Sequence, residues 1–402
     1  MSLVGRRLAA IRPSATVALA EIARARIGRG EEVIDLAEGE PDFDTPAHIV
    51  EAACAALRGG QTRYTSVAGT PALRQAVCDK LARENGIAVR PEQVIVSTGA
   101  KQVIFNALMC GVDPGDEVLI PSPFWVSYPD MVRIAGGSPV IVPCPAEAGF
   151  RLTPPALAQA ITPRSRWLIL NSPGNPTGAV YRSAELAALL AVVARHPRLA
   201  VLSDEVYEHT SFVPGGFAAA AAAAPELADR ILTVNGVSKA YAMTGWRIGY
   251  GAGPAELIAA MTVLQGQSTT NPSSVGQAAA LAALTGPQEM LAERRAILQR
   301  RRDLLLRAVT AIPGLRCTPP EGGLYLFVDA RGLLGGGAVP TDLALAEHLL
   351  AAAGIAAVPG SAFGCPGHLR LCFARPEPVL EEVGRRLARA CADLARPAAA
   401  LS

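Results

Sequence analysis

Short runs of β-branched and aliphatic residues alternate with longer stretches of helical periodicity between Pro91 and Ala252. Residues 94–96 (Val-Ile-Val), 118–120, 140–142, 167–170, 200–202, 231–234 and 248–251 read as strands. Helical patterns fit between them, as at 101–110 and at 183–195, where Ser183 is placed to cap. This alternation predicts an α/β domain whose mostly parallel sheet is covered by helices on both faces. Before the block, 14–30 looks helical and 44–57 opens the large domain. After it, 289–309 forms a long charged helix, read as a solvated connector. A strand at 323–328, a helix at 341–352, strands at 355–358 and 369–373 and a helix at 378–395 build a smaller α+β domain. The glycines at 335–337 form a surface loop. The expected division is 45–288 for the large domain, with 1–44 and 289–402 together forming the small one.

Ligands of open α/β sheets lie beyond the carboxyl ends of the strands. Four such junctions carry residues with chemistry: Gly99-Ala100, the turn 171–177, Asp204 and Lys239. Their convergence on one crevice is the main functional signal.

The chain has 402 residues, half of them hydrophobic, enough for two or three domains without a disulfide or metal staple. Its 37 basic and 35 acidic residues leave a net charge of +2. That balance excludes a strongly basic nucleic-acid binder and an acidic disordered chain. No apolar run approaches the roughly 18 residues of a spanning helix. Glu21 cuts the first apolar stretch and Arg24, Arg26 and Arg29 follow, which makes a poor secretory signal. The eight cysteines form no Cys-x-x-Cys and the five histidines no His-x-x-x-His. Reduced thiols in a cytoplasmic protein without a metal are expected. Only Lys80, Lys101 and Lys239 are lysines. In so arginine-rich a chain each is notable, because arginine cannot become a neutral nucleophile.

Lys239 follows a buried strand, where an ammonium is costly unless paired or neutralised. A Schiff base to an aldehyde cofactor would neutralise it. Alone, such a lysine is more often simply exposed. Arg247, eight residues on, offers a forked donor to a phosphate. Asp204 closes a hydrophobic strand and can hold a pyridinium nitrogen protonated, although a strand-closing aspartate is commonly a helix cap. Tyr207 and Asn175 are typed to bond a ring's phenolic oxygen. Gly99 and Ala100 join strand to helix and leave N–H groups free for a phosphate, a weak signal by itself. Trp125 can stack on a flat ring or simply fill core. Arg370, alternating with apolar residues in a strand, needs an anion, and a substrate carboxylate suits its fork.

Taken in order, Asn175-Pro-Thr-Gly178, Ser203-Asp-Glu-Val-Tyr207, Ser238-Lys239 and Thr244-Gly-Trp-Arg247 resemble the class I/II aminotransferases of pyridoxal-phosphate fold type I. The likeness runs from Pro13-Ser-Ala-Thr16 to the last helix. Ala37-Glu-Gly-Glu-Pro-Asp-Phe-Asp-Thr-Pro46, Thr98-Gly-Ala-Lys-Gln102 and Ser122-Pro-Phe-Trp-Val-Ser-Tyr128 look like the bacterial aspartate aminotransferase branch, which includes prephenate-active members. The resemblance implies pyridoxal 5'-phosphate, with Lys239 as the Schiff-base lysine and general base. Asp204 would pair the ring nitrogen, with Tyr207 and Asn175 on the phenolic oxygen. Gly99, Ala100, Ser238 and Arg247 would hold the phosphate, and Trp125 would stack on the ring. Arg370 and Gly39 would take the α-carboxylate. Tyr64 matches the tyrosine given to a neighbouring subunit's phosphate, so a homodimer is implied. Lys101 and Ser14–Thr16 are associated in this branch with acidic side chains, which favours aspartate and glutamate with a 2-oxoacid partner. Arg12, where branch members often show lysine, leaves prephenate open. Gly236 replaces a phosphate-binding serine of other subgroups, so one hydroxyl is missing.

Other readings of the same scaffold are an aromatic or neutral aminotransferase and a pyridoxal-phosphate β-lyase. A DNA-binding regulator built on this fold needs an N-terminal helix-turn-helix, for which about 35 residues before Leu36 leave no room. A nucleotide site at Gly249-Tyr-Gly-Ala-Gly253 is weak, since Pro254 fits a loop. Neither nucleic acid nor membrane is expected as a partner.

Overall fold

The computed structural model describes residues 15–335 and 339–395, together with residues 3, 5, 8 and 11. Its main sheet has seven strands: β2 (Val94–Ser97), β3 (Glu117–Ser122), β4 (Ser138–Pro143), β5 (Ser165–Asn171), β6 (Ala200–Asp204), β7 (Ile231–Gly236) and β8 (Gly249–Ala252). Their order is β2-β8-β7-β6-β5-β3-β4. The pairs from β4 through to β7 are parallel, and β8 runs antiparallel to both its neighbours. The inner strands β6 and β7 are buried along almost their whole length, which explains why they are mostly apolar rather than alternating. Apolar clusters on the two faces centre on residues such as Leu189 and Val201 on one side and Ile104 and Val132 on the other.

β3 and β5 are neighbours, yet the chain leaves them in opposite directions, towards β4 and towards β6. Such a switch point opens a crevice at the carboxyl ends of the strands. The predicted chemistry gathers there.

A second sheet, β11 (Val358–Pro359), β12 (His368–Cys372) and β9 (Tyr325–Asp329), is antiparallel, and β1 (Ile34–Asp35) pairs in parallel with β10 (Ile355–Ala356). These pack with helices Asp342–Ala353 and Glu377–Ala395 around their own core. The segment expected as one strand at 355–358 is therefore two. The chain leaves one sheet and joins the other at Ala357.

Two other expectations are corrected. Ser183 is the first residue of helix Ser183–Ala194, and Arg182 is the capping position, its N–H donating to the Glu185 carboxylate at 2.7 Å. The charged helix Glu289–Thr310 is not a solvated connector. It buries Leu298, Arg301, Leu305 and Val309 at spacings of three and four, one helical stripe. Arg301 donates to both oxygens of Asp42, at 2.6 and 3.0 Å, and Arg294 donates to the backbone of Asp44 and Ala240. The Phe43 ring lies 5.0 Å from the Arg294 guanidinium and 5.2 Å from that of Arg301. The helix thus fixes the segment leading out of Gly39.

Among the described residues no helix is long and apolar enough to cross a membrane, and all eight cysteines are free thiols. Arg12, Ser14, Gly336 and Gly337 lie outside the described residues, as do the side chains of Ala15 and Thr16.

Candidate active site

A cavity of about 280 Å³ opens at the switch point. Of the residues singled out in the sequence, Gly39, Ala100, Lys101, Trp125, Asn175, Asp204, Tyr207, Ser238, Lys239, Arg247 and Arg370 line it. Gly99 stands directly behind Arg247. Tyr64 is elsewhere, 88% exposed on the surface.

Lys239 follows β7 after one tight bend, so its side chain is delivered to the cavity from the end of a buried strand. Its Nζ donates to the carbonyl oxygen of Gly39. Desolvation pushes the ammonium down from 10.5 to about 8, with Glu40 opposing and Arg370 and Arg247 adding repulsion. An amine so placed is free at mildly alkaline pH, as a nucleophile or proton acceptor requires.

Asp204 ends β6 inside the protein. Burial raises its carboxyl from 3.8 to about 6, against the Tyr128 hydroxyl, which donates to Oδ2 at 2.6 Å, the Val206 N–H and the Lys239 charge. Asn171 Nδ2 donates to the Asp204 carbonyl at 3.0 Å, and Asn171 Oδ1 accepts the Asn175 N–H at 2.8 Å. The rigid turn after β5 is thereby tied to the end of β6. The Tyr207 hydroxyl meets that of Tyr325 at 2.8 Å, and burial raises its pKa. Trp125 also lines the cavity, edge-on to Tyr128 with ring centroids 5.3 Å apart.

Both ends of the cavity are ready for anions. At one end, helix Ala100–Gly111 presents its N-terminus behind Gly99, at φ +84°. That φ is one L side chains rarely adopt, and a Cβ there would also press on the Arg247 guanidinium, so the cradle favours glycine. Arg247 itself is left-handed at φ +58°, a strained conformation for a bulky residue, and it is anchored by Nη1 donating to the Thr244 carbonyl at 2.7 Å. At the other end, Arg370 is 2% exposed. Its fork is held by neutral acceptors, Asn175 Oδ1 at 3.0 Å and the Ala37 carbonyl, and its Nε has no partner. Among the described residues no carboxylate pairs with it. A buried, unneutralised guanidinium with an unused donor is a site for a carboxylate. Its plane lies 4.2 Å from the Tyr325 ring. Gly39 approaches so closely that a Cβ there would overlap the Tyr325 hydroxyl, at 1.8 Å.

Sequence reasoning missed Tyr128, the direct partner of Asp204, and Tyr325, the partner of Tyr207. Arg24 and Glu38 also reach the cavity wall. Tyr128 stood within a motif already noted, but nothing local says that it faces β6.

An anion cradle at a helix N-terminus, an amine of lowered pKa and a buried carboxylate able to face a ring nitrogen fit a phosphorylated aldehyde cofactor on a pyridine ring. Such a set of groups suits a group-transfer enzyme that works on amines. The family model for aminotransferase class I and II matches residues 31–387, and the chain belongs to that family. The aspartate/prephenate aminotransferase of Cereibacter sphaeroides is 51% identical over 399 residues, 98% of this chain and all of the relative. The aspartate aminotransferase of Rhizobium meliloti is 49% identical over 390 residues, 96% of this chain and 95% of the relative. Among solved structures, an aspartate aminotransferase from Rhizobium meliloti matches with a TM-score of 0.94 at 48% identity, covering 98% of this chain and 99% of that one. The Thermus thermophilus aspartate aminotransferase with maleate matches with a TM-score of 0.92 at 45% identity, covering 97% and 100%. The fold is accordingly pyridoxal-phosphate fold type I, and the chain is an aminotransferase.

Proposed function

We propose that this aminotransferase moves an amino group between aspartate or glutamate and a 2-oxoacid such as 2-oxoglutarate. The observation that carries the reading is a pair of cations at separate places in one cavity. Arg370 suits the α-carboxylate. Lys101, at the first turn of helix Ala100–Gly111, sits 4.8 Å over the Trp125 ring and makes no hydrogen bond or ion pair among the described residues. Burial and then the Arg247 charge lower its pKa, so an anion there is welcome. A substrate with two carboxylates meets both needs. The relatives' names point the same way, and maleate, found with the Thermus enzyme, is also a dicarboxylate.

Lys239, Asp204, Tyr207, Asn175, Ser238, Arg247, Trp125 and the Gly99-Ala100 turn would hold pyridoxal 5'-phosphate. When bound, the cofactor supplies an aldehyde that condenses with amines and a ring that accepts the electron pair left at the substrate α-carbon. Lys239 Nζ takes the α-proton and returns it one position away, which its lowered pKa favours. Asp204 keeps the proton on the ring nitrogen, and Tyr128 steadies that carboxylate. Tyr207 and Asn175 donate to the phenolic oxygen. Trp125 and Tyr128 exclude water from one face. Arg370 and Gly39 orient the substrate so that its α-hydrogen points at the amine.

Tyr64, exposed beside Arg63 and Ser274, is available to a second copy, which makes the homodimer part of the proposal. So are the boundaries at 45 and 288 between large and small domains, and residence in the cytoplasm. Prephenate is the alternative amino acceptor, on the names of the relatives.

The test mixes holoenzyme with one amino acid at a time and follows the bound cofactor's absorbance in a single turnover. Rapid conversion with aspartate and glutamate, and slow conversion with alanine, phenylalanine and arginine, is expected. An inert response to aspartate beside a rapid one to a neutral, aromatic or basic amino acid overturns the acidic reading. Lys101→Met should raise KM for aspartate and glutamate by about 10-fold or more, the worth of a hydrogen bond to a charged group. Its effect on alanine should stay within about two-fold, since that substrate has no second carboxylate for the lysine to meet.

A further inference from the structure

Lys80 is the one lysine outside the cavity, and it is the more deeply buried for that, 1% exposed at the end of helix Pro71–Lys80. A single π turn, Leu81–Asn85, continues from it. The ammonium donates to Glu208 Oε1 and, at 2.7 Å, to Asn85 Oδ1, and Glu84 Oε2 lies 3.6 Å away. Asn85 Nδ2 in turn donates to Glu208 Oε2 at 2.6 Å. Three N–H donors thus face three acceptors. Arginine, with five donors in a fixed fork, would leave some unmatched in this interior. That is a physical reason for a lysine in a chain that otherwise uses arginine.

The socket does more than bury a charge, because Glu208 is the residue after Tyr207. Glu208–Thr210 is a short 3₁₀ turn, and Thr210 donates to the Tyr207 carbonyl twice, from N at 2.8 Å and from Oγ1 at 2.7 Å. Lys80 grips this turn from behind while the Tyr207 hydroxyl enters the cavity in front. We infer that Lys80 is a positioning residue for Tyr207, acting through Glu208.

The charged neighbours are consistent with a permanent ion cluster. Burial alone would raise Glu208, yet Lys80 and His209 hold its carboxyl below the usual range. Glu84 is more exposed than Glu208, and against partial desolvation His209, at 3.1 Å, Lys80 and Arg83 hold its carboxyl at about 2. Tyr241 packs edge-on to His209, and Glu205, raised by burial to about 8, lies beyond Glu208. Glu84, Glu208 and His209 are close enough together to ligate a metal ion, but the Lys80 ammonium already serves as the cation on Glu208.

The inference rests on the reading of Tyr207 as a cofactor contact. The test is a double-mutant cycle on the holoenzyme with Lys80→Met and Tyr207→Phe. Its readouts are kcat with aspartate and the pH midpoint of the bound cofactor's visible absorbance. Each single variant should lower kcat and move the midpoint in the same direction. With Tyr207→Phe already in place, Lys80→Met should change kcat by less than about two-fold, since residues acting through one contact are not additive. Additive losses, or a lower melting temperature with an unmoved midpoint, overturn the inference and leave Lys80 a structural residue. If Lys80→Met does not fold, Glu208→Gln replaces it in the same cycle, weakening the grip at nearly constant volume. A wild-type holoenzyme that turns over aspartate while Tyr207→Phe is silent overturns the inference alone. A wild-type protein that neither binds the cofactor nor transaminates overturns the functional reading with it.

Discussion

Lys239→Ala is expected to abolish turnover, a loss of about 10⁴-fold or more, while the protein still folds and still binds pyridoxal 5'-phosphate. The two halves of this expectation have separate causes. Lys239 makes one hydrogen bond in the structure, to the Gly39 carbonyl, and its burial is unfavourable enough to push the amine down to about 8. Removing it relieves a desolvated charge and leaves an apolar stub, so folding should not suffer. The anion cradle at Gly99, Ala100 and Arg247 and the carboxylate of Asp204 are untouched, so non-covalent binding of the cofactor survives. The proton acceptor at the α-carbon is gone, and the other amine lining the cavity, Lys101, sits over the Trp125 ring. Added small primary amines should restore part of the rate in proportion to their fit. Single-turnover absorbance and equilibrium dialysis of the cofactor check the two halves independently. A variant with near-normal turnover removes Lys239 from the mechanism.

Much of this site was visible in the residues before any coordinates. β6 and β7 are buried along almost their whole length, so they stand out as mostly apolar runs, and the charged residues Asp204, at the end of one, and Lys239, just past the other, are conspicuous. Lys239 was marked further by the scarcity of lysine. What the sequence hid depends on partners far away along the chain. Arg301 looks like one more surface charge in Glu289–Thr310 until Asp42, 259 positions distant, takes its fork. Tyr128 looks like core aromatic until β6 brings Asp204 beneath its hydroxyl. Lys80 could be counted, but its socket is assembled from the turn after Tyr207. The N-cap at Arg182 was missed for a local reason: Ser183 is the better cap by type, yet Glu185 satisfies the preceding N–H instead.

Asp204→Asn should have effects of opposite sign on stability and catalysis. In the cofactor-free protein the Asp204 carboxyl is raised from 3.8 to about 6, chiefly by burial. A carboxyl raised on folding contributes stability that is full below about pH 4 and is lost as the pH climbs through about 6. Above that range the wild-type protein carries a buried carboxylate at a cost of up to about 3 kcal/mol, two pH units' worth. Asparagine never ionises, and its Oδ1 can keep the hydrogen bond from Tyr128. The cofactor-free variant should therefore melt higher than wild type at pH 8, and the difference should vanish near pH 4. With cofactor bound the order reverses, because a protonated ring nitrogen gives the carboxylate its missing partner. Turnover should fall by about 10²–10³-fold, the scale of removing one preorganised electrostatic contact from a dry site. Melting curves across pH, with and without pyridoxal 5'-phosphate, measure both signs on one preparation. A variant that melts lower at pH 8 without cofactor, or a pH-independent difference, would mean that Asp204 is already stabilised as an anion by its own surroundings. If the expected pattern holds, the isolated protein is strained at the atom where the ring nitrogen is to sit, and cofactor binding relieves that strain.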